Sequence, residues 1–260
     1  MSIGLCLVRI HCRLGRARLI LRAMRLLVLT TETLHHAQFV RALVGPEIDV
    51  LAMVETKPVS RPYETSHPFE AARDDFERGI WFAGRDARIA DYAATETFPD
   101  INQTEAVDRL RAFSPDLIVS FGTGLLREKV IAAGGDRLLN LHGGDPERYR
   151  GLDTHLWAIW HKDFGALVTC LHRVSPGLDE GDIVTMSPVR VSPGMELHQL
   201  RAANTNVCVD LTLATIAQLR CNRQPLSHPQ RGSGRYYGAM PTALKGVCVR
   251  RFERYTSGLV

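Results

Sequence analysis

Short, continuously apolar runs separated by helix-length segments constrain this chain more than any other property. Arg25–Thr30 (RLLVLT) is a run of the kind that fills a strand covered on both faces. His35–Leu43 carries helical spacing, and Ile48–Val54 (IDVLAMV) repeats the buried-strand signal. Strand, helix and strand at that spacing call for a right-handed crossover between parallel neighbours. Pro115-Asp116 then introduces the strongest strand signal, Leu117–Phe121 (LIVSF), and Leu138–Leu141 is a shorter one. Ala166–Val174 and Ile183–Val191 suit two more strands. Helices are expected over Phe69–Phe82, Glu105–Phe113, Thr154–His161 and, longest of all, Glu196–Leu219. The expected class is α/β, Rossmann-like, with a mostly parallel twisted sheet.

At 260 residues and 45% hydrophobic, the chain can bury one full α/β core. We place that catalytic domain at residues 24–224. The stretch after Pro225 (SHPQRGSGRYYGAMP) changes to Ser, Gly, Arg and Tyr, so 225–260 reads as a short C-terminal extension. Residues 1–23 read as a basic extension outside the fold, carrying Arg9, Arg13, Arg16, Arg18 and Arg22 and no acid. They supply much of the formal net charge of +4, which leaves the body near neutral and argues against a nucleic-acid partner. No apolar run is long enough to span a bilayer. The six cysteines show no metal-binding spacing, so free buried thiols, a cytoplasmic setting and no metal are expected. The first β-α turn, TTETLHH, lacks the glycines that let a main chain approach a pyrophosphate, which excludes a dinucleotide fingerprint.

The chemistry concentrates between Asn140 and Asp179. Side chains alternate along a strand, so Asn140 and His142 face the same way at a strand's C-terminal end, where open α/β sheets bind ligands. An amide there can donate to a carbonyl oxygen as it gains charge, and an imidazole can take a proton near neutral pH. Asp179, after Pro176-Gly177-Leu178, lies on a turn from which a carboxylate could orient the imidazole or relay a proton.

These residues sit in a recognisable frame: Asn140 and His142 as N-x-H, then Arg150-Gly151, Trp157-Ala158-Ile159, and Gly177-Leu178-Asp179-Glu180-Gly181-Asp182-Ile183. The frame resembles the 10-formyltetrahydrofolate-dependent formyltransferases, clearly over residues 117–191 and more loosely from Met24 onward. The resemblance implies the formyltransferase fold, 10-formyltetrahydrofolate as formyl donor, and Asn140, His142 and Asp179 as catalytic residues. It also implies that Phe121, Gly122, Thr123, Gly124, Leu125 and Leu126 form part of the pterin-binding wall, joined by Asp179.

The chain departs from that family in two places. Gly143-Gly144-Asp145-Pro146 replaces the usual S-L-L-P loop, and Cys170 stands two residues before His172 where Thr is usual. The altered loop points to the acceptor, with Asp145, Glu147, Arg148, Tyr149 and Arg150 as its expected contacts. The short extension resembles sugar N-formyltransferases acting on nucleotide-linked amino-deoxy sugars for surface polysaccharide (O-antigen) biosynthesis. Other readings are a different small amine, such as glycinamide ribonucleotide or hydroxyornithine, or a catalytically silent folate- or nucleotide-sugar-binding protein. A homodimer is expected, and Trp81, Phe82, Tyr236 and Tyr237 are aromatics able to stack a base or pterin.

Overall fold

Alternation along the strands decides how this chain layers. In β1 (Met24–Thr30) Leu26 and Val28 point to one face of the sheet, while Leu27 and Leu29 point to the other. All four are fully buried, so both faces must be covered. The computed structural model describes residues 22–57 and 61–259, so most of the expected basic extension lies outside the described residues. Its last arginine, Arg22, pairs with Asp116 at 2.5 Å.

The chain continues through α1 (Leu34–Leu43), β2 (Ile48–Glu55), α2 (Pro68–Phe82), β3 (Ala94–Phe98), α3 (Thr104–Phe113) and β4 (Leu117–Phe121). Next come α4 (Glu128–Gly134), β5 (Leu138–His142), β6 (Tyr149–Gly151), α5 (Thr154–Trp160), β7 (Val168–Arg173) and β8 (Ile183–Pro188). The final elements are α6 (Leu200–Arg220), β9 (Arg235–Tyr237) and α7 (Thr242–Ser257). Seven strands form one sheet in the order β3-β2-β1-β4-β5-β7-β8. The first five run parallel, and β7 and β8 are antiparallel to their neighbours. This is the mostly parallel α/β sheet expected.

Two apolar layers close the sheet. Leu26 and Val28 pack with Phe39 and Val40 of α1 and Leu211 of α6. Leu27 and Leu29 pack with Val107 and Leu110 of α3 and Val130 of α4. Helix α6 crosses the molecule with three threonines buried along it. Thr205, Thr212 and Thr215 each donate back to the carbonyl four residues earlier, so no hydroxyl is left dry. The long helix starts four residues later than expected, because 197–199 form a 3₁₀ turn.

The C-terminal extension is more structured than its composition implied. Its strand β9 pairs with β6 in a two-stranded parallel sheet. Its helix α7 buries Cys248, Phe252 and Thr256 against a third cluster that includes Ala158 and Ile159 of α5. These three positions fall four apart on a single helical stripe. The stripe is narrow and its neighbours are arginines (Arg250, Arg251, Arg254), which hid the period. Strand β3 escaped for a related reason: it is an edge strand of sequence ATETF with no buried residue.

Candidate functional site

Chain order reverses direction at β1, whose neighbours are β2 on one side and β4 on the other, and open sheets bind ligands at such a switch. Here the switch is bridged. Thr30 Oγ1 donates to the Phe121 carbonyl at 2.8 Å, and Thr31 Oγ1 to that of Gly122 at 3.3 Å. The open chemistry lies one strand further on, at β5.

Four polar side chains meet there. Asn140 and His142 share a face of β5, as the alternation predicts. The loop after β7 folds back so that Asp179 reaches both. Its Oδ2 lies 3.4 Å from His142 Nδ1 and accepts from the Gly151 amide at 2.8 Å. Its Oδ1 lies 3.4 Å from Asn140 Nδ2 and 3.5 Å from His172 Nε2. His172 pairs across the ladder with Asn140 and was not among the expected site residues. Its Nδ1 lies 2.7 Å from the Arg173 carbonyl, so Nδ1 carries the proton and Nε2 accepts from Asn140 at 3.1 Å. Its position two residues after Cys170, opposite Asn140 in an antiparallel pair, was the available signal.

The electrostatics of the cluster are poised. Burial pushes the Asp179 carboxyl up. The neighbouring His172 and His142 imidazoles and the Gly151 amide outweigh it and hold the group below its ordinary value. Burial lowers the His142 imidazole below its ordinary value, with the Asp179 carboxylate opposing. Both ring nitrogens of His142 face acceptors: Nε2 the Tyr149 carbonyl at 2.9 Å, Nδ1 the carboxylate. A neutral ring can satisfy only one of them. Adding a proton therefore turns a lone pair–carboxylate contact into an ion pair.

The Gly143-Gly144 departure has a steric reason. A Cβ at Gly144, whose φ is +158°, would stand 2.9 Å from Thr154 Oγ1 and 3.1 Å from His142 Nε2. One at Gly143 would stand 3.3 Å from the His155 ring. Thr154 Oγ1 also donates to the Gly143 carbonyl. The loop is thus seated on the Thr154-His155 pair, which has no room for side chains there. His155, donating to the Val168 carbonyl at 2.7 Å, is driven down to about 4 by burial.

The expected donor wall is main chain held from behind. Gly122 takes φ +82° over the His36 ring, and a Cβ would lie 2.4 Å from that ring. Gly124 N donates to Glu55 at 2.8 Å, and Asn102 receives the Arg127 amide at 2.6 Å while donating to the Leu125 carbonyl at 3.0 Å. Glu55 and Asn102 are braces that single-residue reasoning missed. Thr123 bonds Ser120 at 2.9 Å. Phe121 and Leu126 are buried, while Leu125 is half exposed.

The expected acceptor contacts divide. Asp145 caps the Glu147 amide at 3.0 Å, with burial raising its carboxyl, and Arg148 pairs with Asp163 at 2.9 Å. Glu147 accepts from the Arg231 amide. Tyr149 is buried, its hydroxyl donating to Asp163 at 3.0 Å. Arg150 is buried as well, and its guanidinium is spent on Pro146, Glu180 and Gln230. The structure thus gives Tyr149 and Arg150 bracing positions.

The aromatics are placed away from the four-group cluster or are already partnered. Trp81 and Phe82 lie at the C-terminal end of α2 around Arg41. Tyr237 is packed between Tyr149 and Trp157, at centroid distances of 5.5 and 5.0 Å. Tyr236 is half exposed and bonds the Leu178 carbonyl at 3.1 Å. Cys170, Cys208 and Cys248 are buried free thiols. Among the described residues, no helix is long and apolar enough to cross a membrane.

A mostly parallel α/β sheet thus gathers an amide, two imidazoles and a carboxylate at the end of β5. Residues 84–210 match the model of the formyl transferase family, and over that stretch the chain carries a formyl transferase domain. Methionyl-tRNA formyltransferase of Agathobacter rectalis is 29% identical over 115 residues, 42% of this chain and 37% of that protein. The chain therefore spans well under half the length of that relative. A 4-N formyltransferase from Francisella tularensis superposes over 88% of this chain and 87% of its own, with TM-score 0.57 and 15% identity. Glycinamide ribonucleotide transformylase 1 from Symbiobacterium toebii does so over 80% and 94%, with TM-score 0.53 and 17% identity. Those two likenesses establish the fold.

Proposed function

We propose that this protein transfers the formyl group of 10-formyltetrahydrofolate to the amine of a nucleotide-linked amino-deoxy sugar. The observation that carries the transfer reading is the meeting of Asn140, His142 and Asp179 at the end of β5, inside a formyl transferase domain. Bound 10-formyltetrahydrofolate would supply an activated formyl carbonyl. The main-chain wall 121–126, with half-exposed Leu125, and the partly exposed Leu178 beside Asp179 fit a flat, largely apolar ring bearing polar edges.

Asn140 would release its long 3.4 Å contact with Asp179 and donate that hydrogen to the carbonyl oxygen as charge gathers, a contribution of about 3–4 kcal/mol for a donor already in place. The Nδ1 lone pair of His142, neutral through burial, faces Asp179, so the proton released by the attacking amine would reach it through that carboxylate and form the ion pair. Asp179 would then pass that same proton from His142 to the departing nitrogen. His172 keeps the Asn140 amide turned by accepting one of its hydrogens.

The sugar acceptor is supported by the likeness to the 4-N formyltransferase, whose fold accounts for most of this chain and most of its own; glycinamide ribonucleotide is the second reading, because its transformylase is covered as fully. Asp145, Glu147 and Arg148, on the loop that departs from the usual S-L-L-P pattern, are the proposed acceptor contacts, and the proposed setting is cytoplasmic, with a homodimer. The test is donor consumption with a panel of nucleotide-linked amino sugars, glycinamide ribonucleotide, hydroxyornithine and methionyl-tRNA. Turnover with an amino sugar supports the reading; turnover only with another acceptor replaces the sugar, and none with any acceptor removes the enzyme.

A further inference from the structure

The C-terminal segment is wired into the loop that carries Asp179. Gln230, half-buried, donates through its amide nitrogen to the carbonyls of Asp179 at 2.8 Å and Gly181 at 2.9 Å. Its amide oxygen accepts from Arg150 at 2.7 Å. The partners fix this orientation, since two carbonyls can only accept and a guanidinium can only donate. Arg150 is itself pinned, donating to the Pro146 carbonyl at 2.9 Å and pairing with Glu180 at 2.9 Å. Glu180 also receives the Tyr236 hydroxyl. Gly234 packs so closely on the same loop that a Cβ would lie 2.2 Å from the Pro146 carbonyl.

Asp179 needs such a hold. Its φ of +53° lies in the left-handed region, which an aspartate enters more readily than most L residues but which still has to be held. In that conformation the carboxylate reaches Gly151 N, His142, His172 and Asn140 together.

We infer that Gln230 is a positioning residue, which sets the reach of the Asp179 carboxylate by clamping that residue's main chain from the C-terminal segment. Its kinetic consequence rests on the formyl-transfer reading of Asp179; its structural consequence does not. The groups facing the carboxylate are His142 from β5, His172 from β7, the Asn140 amide and the Gly151 N–H. Cys170 and Asp145 lie near, and Arg150 and Glu180 flank the loop. Slackening the clamp draws the carboxylate away from the imidazoles and the amide, so it titrates at higher pH.

The test follows the Asp179 carboxyl by ¹³C NMR in protein labelled at its aspartate carboxyls, the signal assigned with Asp179→Asn. Wild type is compared with Gln230→Ala and Gln230→Glu, alongside steady-state kinetics and melting. Gln230→Glu keeps a partner for Arg150 but sets a carboxylate oxygen against the Asp179 and Gly181 carbonyls, separating the two ends of the clamp. In both variants the Asp179 pKa should rise. The kcat should fall about tenfold to a hundredfold, with donor KM changed less than about threefold, as for a misplaced reacting group. An Asp179 titration unchanged in a folded variant overturns the inference, whatever the turnover. A titration that moves in a protein transferring no formyl group sustains the clamp and removes the formyl-transfer reading. Should Gln230→Ala fail to fold, Gln230→Glu decides by the same readings.

Discussion

On the β4 side the proposed donor wall, 121–126, is main chain, shaped by a left-handed Gly122 and held from behind by Glu55 and Asn102. On the β5 side four side chains, Asn140, His142, His172 and Asp179, carry the polar groups and are spent largely on one another. The difference teaches where each wall can be damaged. A main-chain wall has few reacting atoms to delete and fails when its braces or its glycine go. A side-chain wall fails at each member, because removing one leaves buried partners unpaired.

The largest effect should fall on the side-chain wall. Asp179→Asn and Asn140→Ala should each lower kcat by about a thousandfold or more, the scale of lost acid–base catalysis or a lost preorganised donor. Donor binding, measured by titration of folate fluorescence, should survive in Asn140→Ala. Wild-type kcat in both would erase the contrast between the walls.

Next comes a change that removes no reacting group. Gly151→Ala adds a Cβ 2.3 Å from the Tyr237 carbonyl at φ +93°. It should cost roughly 2–4 kcal/mol in urea unfolding, through strain and the broken β6–β9 pairing that presents Gly151 N to Asp179.

Acid should loosen both walls. His36 lies under Gly122 with its pKa lowered to about 3, and His155 lies under Gly143 with its pKa lowered to about 4, each through burial. An imidazole depressed in the folded state is protonated first in the unfolded chain. Stability is therefore complete above about pH 6.5 and is lost as pH falls from there toward those folded values. Unfolding free energy should drop by about 1–3 kcal/mol between pH 7.5 and 5.5, and His36→Phe should flatten that slope.

The smallest effect should separate the walls most cleanly. Glu55→Ala or Asn102→Ala should raise donor KM about tenfold while kcat changes less than about threefold, the pattern of lost uniform binding. A fall in kcat with unchanged KM would mean the braces serve the reacting wall instead.

Legibility followed the same division. The parallel strands were readable because a strand covered on both faces must be apolar throughout, as in β1, β2 and β4. That Asn140, His142 and Asp179 come together was readable from the frame in which they sit. Glu55, Asn102 and Gln230 were not, since each acts on main-chain groups far along the chain, and an acid or amide at a strand end or in a loop has many other uses. Strand β3 and helix α7 were hidden where exposure or arginines diluted the apolar pattern. Tyr149 and Arg150 were expected as acceptor contacts, and the structure buries both and bonds them to Asp163 and Pro146.

The most direct test of the central claim is isotope transfer. Donor carrying a ¹³C-formyl group is incubated with a nucleotide-linked amino sugar and either wild type or Asp179→Asn, and the products are read by mass spectrometry. The label should appear as a formamide on the sugar amine with wild type and be nearly absent with the variant. Label retained on the folate or released as formate with wild type, or equal transfer by both proteins, would contradict formyl transfer through the Asn140–His142–Asp179 site.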